Sequence, residues 1–173
     1  MRHVRKSLGF STLLTILLGA GSYASADPPG PTSATFEVSS GRAHKAAEHS
    51  LRDAQYVVSG HRSVVTGTLR RKTRTTQQQA AAIEELRRIS RFDPAEVPAP
   101  RALREYRVTQ NVTLAQISEA RTTVTVHAEI VTFSHVSKGV TGPGPRMAFP
   151  SRGVIEEETL LRMREHLAEP ASR

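Results

Sequence analysis

Three groups of residues have the types and spacings that could do chemistry. The first is His127-Ala128-Glu129; His-x-Glu is how zinc nucleobase deaminases present one metal ligand beside a catalytic glutamate. Those enzymes complete the zinc with P-C-x-x-C, and this chain contains no cysteine. The tripeptide also lies inside an alternating apolar and polar run, which belongs to a strand rather than to a helix start. What remains is a pocket-lining pair, His127 and Glu129, available for acid–base or ligand contacts. His135 has the same parity, but at about 3.3 Å per residue it stands too far along the strand to converge on them.

The second group, His44, Glu48 and His49, approximates the H-x-x-E-H zinc motif with one residue too many. On a helix the two imidazoles diverge by about 140°, so a solvated helix face is expected and no metal site. The third is the basic run Arg70-Arg71-Lys72-Thr73-Arg74, read as a loop between two helices. Arg70, Arg71, Lys72 and Arg74 are the candidates for binding an anionic surface. No G-x-S-x-G and no phosphate-cradling glycine motif occurs. The sequence therefore assigns no catalytic residue, no metal and no cofactor, and favours a protein that is not an enzyme.

These groups sit in a chain of 173 residues with 24 Lys and Arg, 16 Asp and Glu, and a net charge of +8. That is enough for one domain. The lack of cysteine excludes thiol nucleophiles, disulfides, thiolate zinc sites and acylated-cysteine anchors. Residues 1–26 show a basic start (Arg2, Arg5, Lys6), an apolar run from Leu8 to Ala20, and Ala24-Ser25-Ala26. This is the pattern of a signal peptide cleaved after Ala26, because the apolar run is shorter than the roughly 20 residues a spanning helix needs. Cleavage removes Arg2, Arg5 and Lys6 and no acid, lowering the net charge from +8 to +5 and leaving no transmembrane span. Secretion excludes nuclear import, and the few aromatics argue against nucleic acid as a partner. An anionic envelope polymer or lipid, or a partner protein, remains as the counterpart of the basic run.

Residues 27–40, with Pro28, Pro29, Gly30 and Pro31, read as a disordered leader. Ala43, Ala47, Leu51, Ala54, Val58 and Val65 recur at helical spacing, and the expectation is one long helix from Ser40 to Gly67. A second helix comes next, with Thr76 and Gln79 at capping-box spacing and Ile83, Leu86, Ile89 and Phe92 as its stripe. From Tyr106 the period is two: Tyr106, Val108, Val112 and Leu114 share one face, Glu119-Ala120 turns, and Val124, Val126, Ala128 and Ile130 face the core of a second strand. The parity changes at Ile130-Val131, which implies a bulge or a region covered on both faces. Arg146 to Phe149 reads as a further strand, and Glu156 to Leu167 as a helix with strand as the alternative.

The fold class is then α+β: a single domain at 41–169 in which two N-terminal helices pack on a curved antiparallel sheet. The Ala-rich helix entering Val64-Val65-Thr66-Gly67, the second helix, and the strand pair containing Arg121-Thr122-Thr123-Val124-Thr125-Val126 resemble exported actinomycete proteins. Those have an NTF2-like or cystatin-like cone domain, including the accessory region found ahead of amidase domains. The resemblance spans residues 43–150 and implies a cone-shaped sheet with no catalytic motif. Two functions are expected on these grounds. One is an exported, non-catalytic protein held at the cell envelope by the basic run. The other is a small secreted enzyme or ligand-binding protein whose cone pocket is lined by His127 and Glu129.

Overall fold

A computed structural model describes residues 31–93, 103–134 and 146–168. The element order is β1 (Thr32–Phe36), α1 (Ser40–Asp53), β2 (Val57–His61), β3 (Val64–Lys72), α2 (Thr76–Ile89), β4 (Leu103–Ser118), β5 (Arg121–Ser134), β6 (Arg146–Pro150) and α3 (Val154–Ala168). The class is α+β, with one antiparallel sheet ordered β1-β5-β4-β3-β2 and β6 also paired to β5. β1 takes Thr122 to Val126 of β5 and β6 takes Glu129 to Phe133, so the two lie end to end along one side of that strand.

The long first helix does not form. α1 starts at the Ser39 cap and ends after Asp53, where Gln55 adopts φ 65°. The Tyr56 amide donates to the Leu51 carbonyl and the Gln55 amide to that of Arg52. This is the Schellman arrangement, with glutamine at the left-handed position that glycine usually occupies. The atypical residue hides the stop from a sequence reading. Beyond it the chain forms a hairpin: β2 and β3 pair with His61 opposite Val64 across a two-residue turn in which Arg62 has φ 50°. Val58 and Val65 thus kept a stripe whose period fits strand as well as helix. Residues 32–36, expected within a disordered leader, form β1. There Ser33 and Thr35 bond to Thr125 and Thr123, while Phe36 enters the core.

The remaining expectations fare better. α2 carries a true capping box, one residue early, on Thr75 and Gln78. β4 and β5 form the expected antiparallel hairpin about Glu119-Ala120 with the predicted core residues buried. At Ile130-Val131 the register is unbroken and Ile130, Val131 and Thr132 are all buried, so both faces are covered there. α3 is the helical option.

The three helices lie on one face of the sheet. Leu51, Leu86, Ile89 and Met163 meet Val65, Val108, Val112, Val124, Val126 and Ile130 in one continuous core. Gly67 permits the approach of α1: a Cβ there would stand 3.0 Å from Leu51 Cδ2 and 3.1 Å from Tyr56 Cδ1. Asp53 to His166 at 2.8 Å and Arg42 to the Leu167 carbonyl at 2.8 Å tie α1 to α3. The opposite face is open at His127 and Glu129, which are exposed, and closed locally at Val131, which is buried.

Candidate functional site: a cationic sheet end and a charged cleft

β-strand geometry divides the basic run. Successive side chains of a strand point to opposite faces, and β3 continues through Lys72. The run is therefore a strand end and not an interhelical loop. Arg70 and Lys72 stand on the open face, opposite Arg107 and Glu105 of β4. Arg71 points to the helix side, where it donates to Gln55 Oε1 at 2.8 Å. Thr73 is buried, its amide bonded to the Arg104 carbonyl. Arg74 lies beyond the strand, its backbone amide bonded to Gln78 Oε1 at 2.8 Å.

On the open face Arg70 and Arg107 are direct cross-strand neighbours, a like-charge pairing that ordinarily destabilises a sheet. Glu105 mediates between them. It accepts from Arg70 Nε at 2.9 Å and from a terminal nitrogen at 3.0 Å, and it lies 3.7 Å from Arg107. Those Arg70 bonds hold the Glu105 carboxyl below the ordinary carboxylate value, against the opposing effect of burial. Arg107 also stacks over the Phe133 ring at 5.2 Å, and its Nε is buried without a hydrogen-bond partner among the described residues. Arg146 of β6 reaches Glu129 at 3.2 Å. Among the described residues Arg70, Lys72, Arg107 and Arg146, from three strands, thus face Glu105 and Glu129 at this end of the sheet.

His127 and Glu129 share that open face, and both are exposed. Neither lines the two clefts found among the described residues. The parity that puts Val126, Ala128 and Ile130 against the helices turns these two away from them. His44 and His49 also diverge as their spacing requires: His44 lies 3.4 Å from Glu48, whereas His49 packs edge-on against His166 at 5.7 Å. No group of metal-ligating side chains occurs among the described residues.

The concave chemistry is on the other face. Between the sheet, α2 and α3 lies a cleft of about 180 Å³ with Tyr56 and Gln110 among the residues that line it. Gln110 occupies an inward position of β4 at 1% exposure and accepts from Thr159 Oγ1 at 2.8 Å. Burial pushes the Tyr56 phenol above its usual value, with a smaller opposing effect from its hydrogen bond to Gln110. Tyr106 is likewise raised, first by burial and then by Glu85. Charged residues from three elements also line the cleft. Arg88 donates to both oxygens of Glu85 at 3.0 and 3.1 Å and to Glu158 at 2.6 Å. These bonds raise its guanidinium pKa further. Arg162 approaches Glu158 only to 3.9 Å.

Sequence reasoning passed over this cleft. The available signal was Gln110, a polar residue at the parity of Val108 and Val112. The clustering of Arg71, Arg88 and Arg162 arises only once β3, α2 and α3 are brought together. No family model, curated protein or solved structure matches the chain. The chemistry of its own side chains is accordingly the basis for a functional reading.

Proposed function

We propose that this chain is an exported, non-catalytic domain that binds a phosphate-bearing polymer of the cell envelope through the cationic end of its open sheet face. The observation that carries the proposal is the cross-strand pairing of Arg70 with Arg107, flanked by Lys72 and Arg146. Like charges set side by side cost folding free energy, and an anionic partner would recover that cost. Thr66, Thr68, Thr109, Asn111 and Thr125 extend the same face as a flat field of hydroxyl and amide groups, suited to a hydrated chain. The tripartite pattern of residues 2–26 supports the export half of the reading.

The test is co-sedimentation of the protein with a poly(glycerol phosphate) chain across a salt series. Lys72→Gln with Arg146→Gln should weaken binding and flatten the slope of log K against log salt by about one per lost phosphate contact. Binding that ignores salt, or a double variant that binds as tightly as the parent, overturns the proposal. So does association with anionic vesicles in preference to the polymer.

A further inference from the structure

The cleft is a second site, independent of the cationic sheet end. Its floor carries a buried amide within a run of valines: Gln110 stands between Val108 and Val112, each of them at most 1% exposed. The Gln110 amide is paired with Thr159 and Tyr56, which fixes a polar group in place at the cleft floor. The Tyr56 phenol, bonded to Gln110, adds a second hydrogen-bonding group beside it.

The charged residues around that floor are unequally committed. Arg88 is held by Glu85 and Glu158 and has little left to offer. Arg71 bonds only to neutral partners, Gln55 and Tyr106, and Arg162 meets Glu158 only at 3.9 Å, beyond hydrogen-bond range. Three arginines against two glutamates leave a single positive charge on the lining. A monoanion balances it, whereas a dianion would be pressed against Glu85 and Glu158. The planar guanidinium fork matches a carboxylate. Leu69 and Ile155 supply apolar wall. The volume of about 180 Å³ falls below the roughly 300–1,000 Å³ of pockets that take drug-sized molecules.

We infer that the cleft binds a small organic monocarboxylate carrying one further hydrogen-bonding group. Arg71 and Arg162 hold the carboxylate, Tyr56 and Gln110 take the second polar group, and Leu69 and Ile155 cover the apolar body.

The experiment is an NMR titration of the ¹⁵N-labelled full chain with acetate, lactate, pyruvate and benzoate at constant ionic strength. The side-chain signals of Arg71, Arg162 and Gln110 are followed, with inorganic phosphate as the dianionic comparison. At least one acid should give saturable shifts at all three side chains, and phosphate should bind more weakly than that acid. Arg162→Gln, at the half-exposed rim of the cleft, should lose about tenfold or more in affinity, while Arg121→Gln on the far face binds like the parent. Tyr56→Phe, which keeps the ring packing, should erase the preference for lactate over acetate. Three results overturn the inference: no saturable shift with any of the four acids, tighter binding of phosphate than of every acid, or undiminished affinity in a folded Arg162→Gln chain. Retained lactate preference in Tyr56→Phe removes the assigned second contact.

Discussion

The two faces of the sheet differ in what holds their side chains in place. On the covered face, position is set by exclusion of water: Val65, Val112, Val124, Val126 and Ile130 are each fully buried against three helices. On the open face it is set by short polar contacts between neighbours. Examples are Ser33 to Thr125 at 2.9 Å, Thr35 to Thr123 at 3.0 Å and Thr66 to Asn111 at 3.0 Å. Such exposed contacts contribute little net stability each, because water offers the same bonds to the unfolded chain. The covered face therefore carries the fold, and the open face is free to vary in chemistry. The cationic end uses that freedom, and the cleft brings charged and polar groups onto the stabilising side.

Paired truncations test that contrast most directly. Ile130→Ala should lose about 2–5 kcal/mol of unfolding free energy, the usual cost of emptying a core site, while Thr125→Ala on the opposite face should stay within about 0.5 kcal/mol. Urea denaturation of both variants would read the difference, and equal losses would dissolve it. A smaller effect is expected from crowding the covered face. Gly67→Val places methyl groups where Leu51 and Tyr56 already stand 3.0 and 3.1 Å from a Cβ position, and overpacking of this kind costs about 1–3 kcal/mol. A variant as stable as the parent would show that α1 can retreat from the sheet.

The smallest effect belongs to the open face and is present at neutral pH but lost in acid. The folded Glu105 carboxyl lies below its ordinary value of 4.5, chiefly through its bonds to Arg70. Near that pH the unfolded chain thus binds more protons than the folded one. The stabilisation is complete above pH 4.5 and drains away as pH falls toward the depressed native value. Glu105→Gln should lower stability at neutral pH and flatten this acid limb. A variant whose thermal midpoint keeps the parent's full decline in acid would show that Glu105 does not neutralise the Arg70 and Arg107 pair.

The sequence made the sheet's centre legible because Val108, Val112, Val124, Val126 and Ile130 alternate with polar residues over a long span, and nothing but a strand pair accounts for that. The stretch from Val57 to Gly67 was misread for two physical reasons. Its valines fall at spacings common to a helix stripe and to two short strands, and the residues that end α1 and turn β2 into β3 are Gln55 and Arg62. Neither is the glycine or asparagine that usually marks a left-handed position. The basic run was visible as charge, but its division between two faces depended on knowing that Arg71 belonged to a strand. The cleft lay further out of reach, since its arginines sit far apart along the chain.

The placement of β1 has a consequence for the order in which the domain can be built. Ser33 reaches its partner Thr125 across 92 positions of chain, and β1 has no other strand to rest on. A polypeptide emerges with its amino end leading, so β1, which precedes the other described strands, must wait until β5 exists. Closing so long a loop comes late, after the local hairpins have formed. This early strand is thus expected to be among the last to be seated. Until then the Thr122 to Val126 edge of β5 stands open to any extended segment that arrives before it.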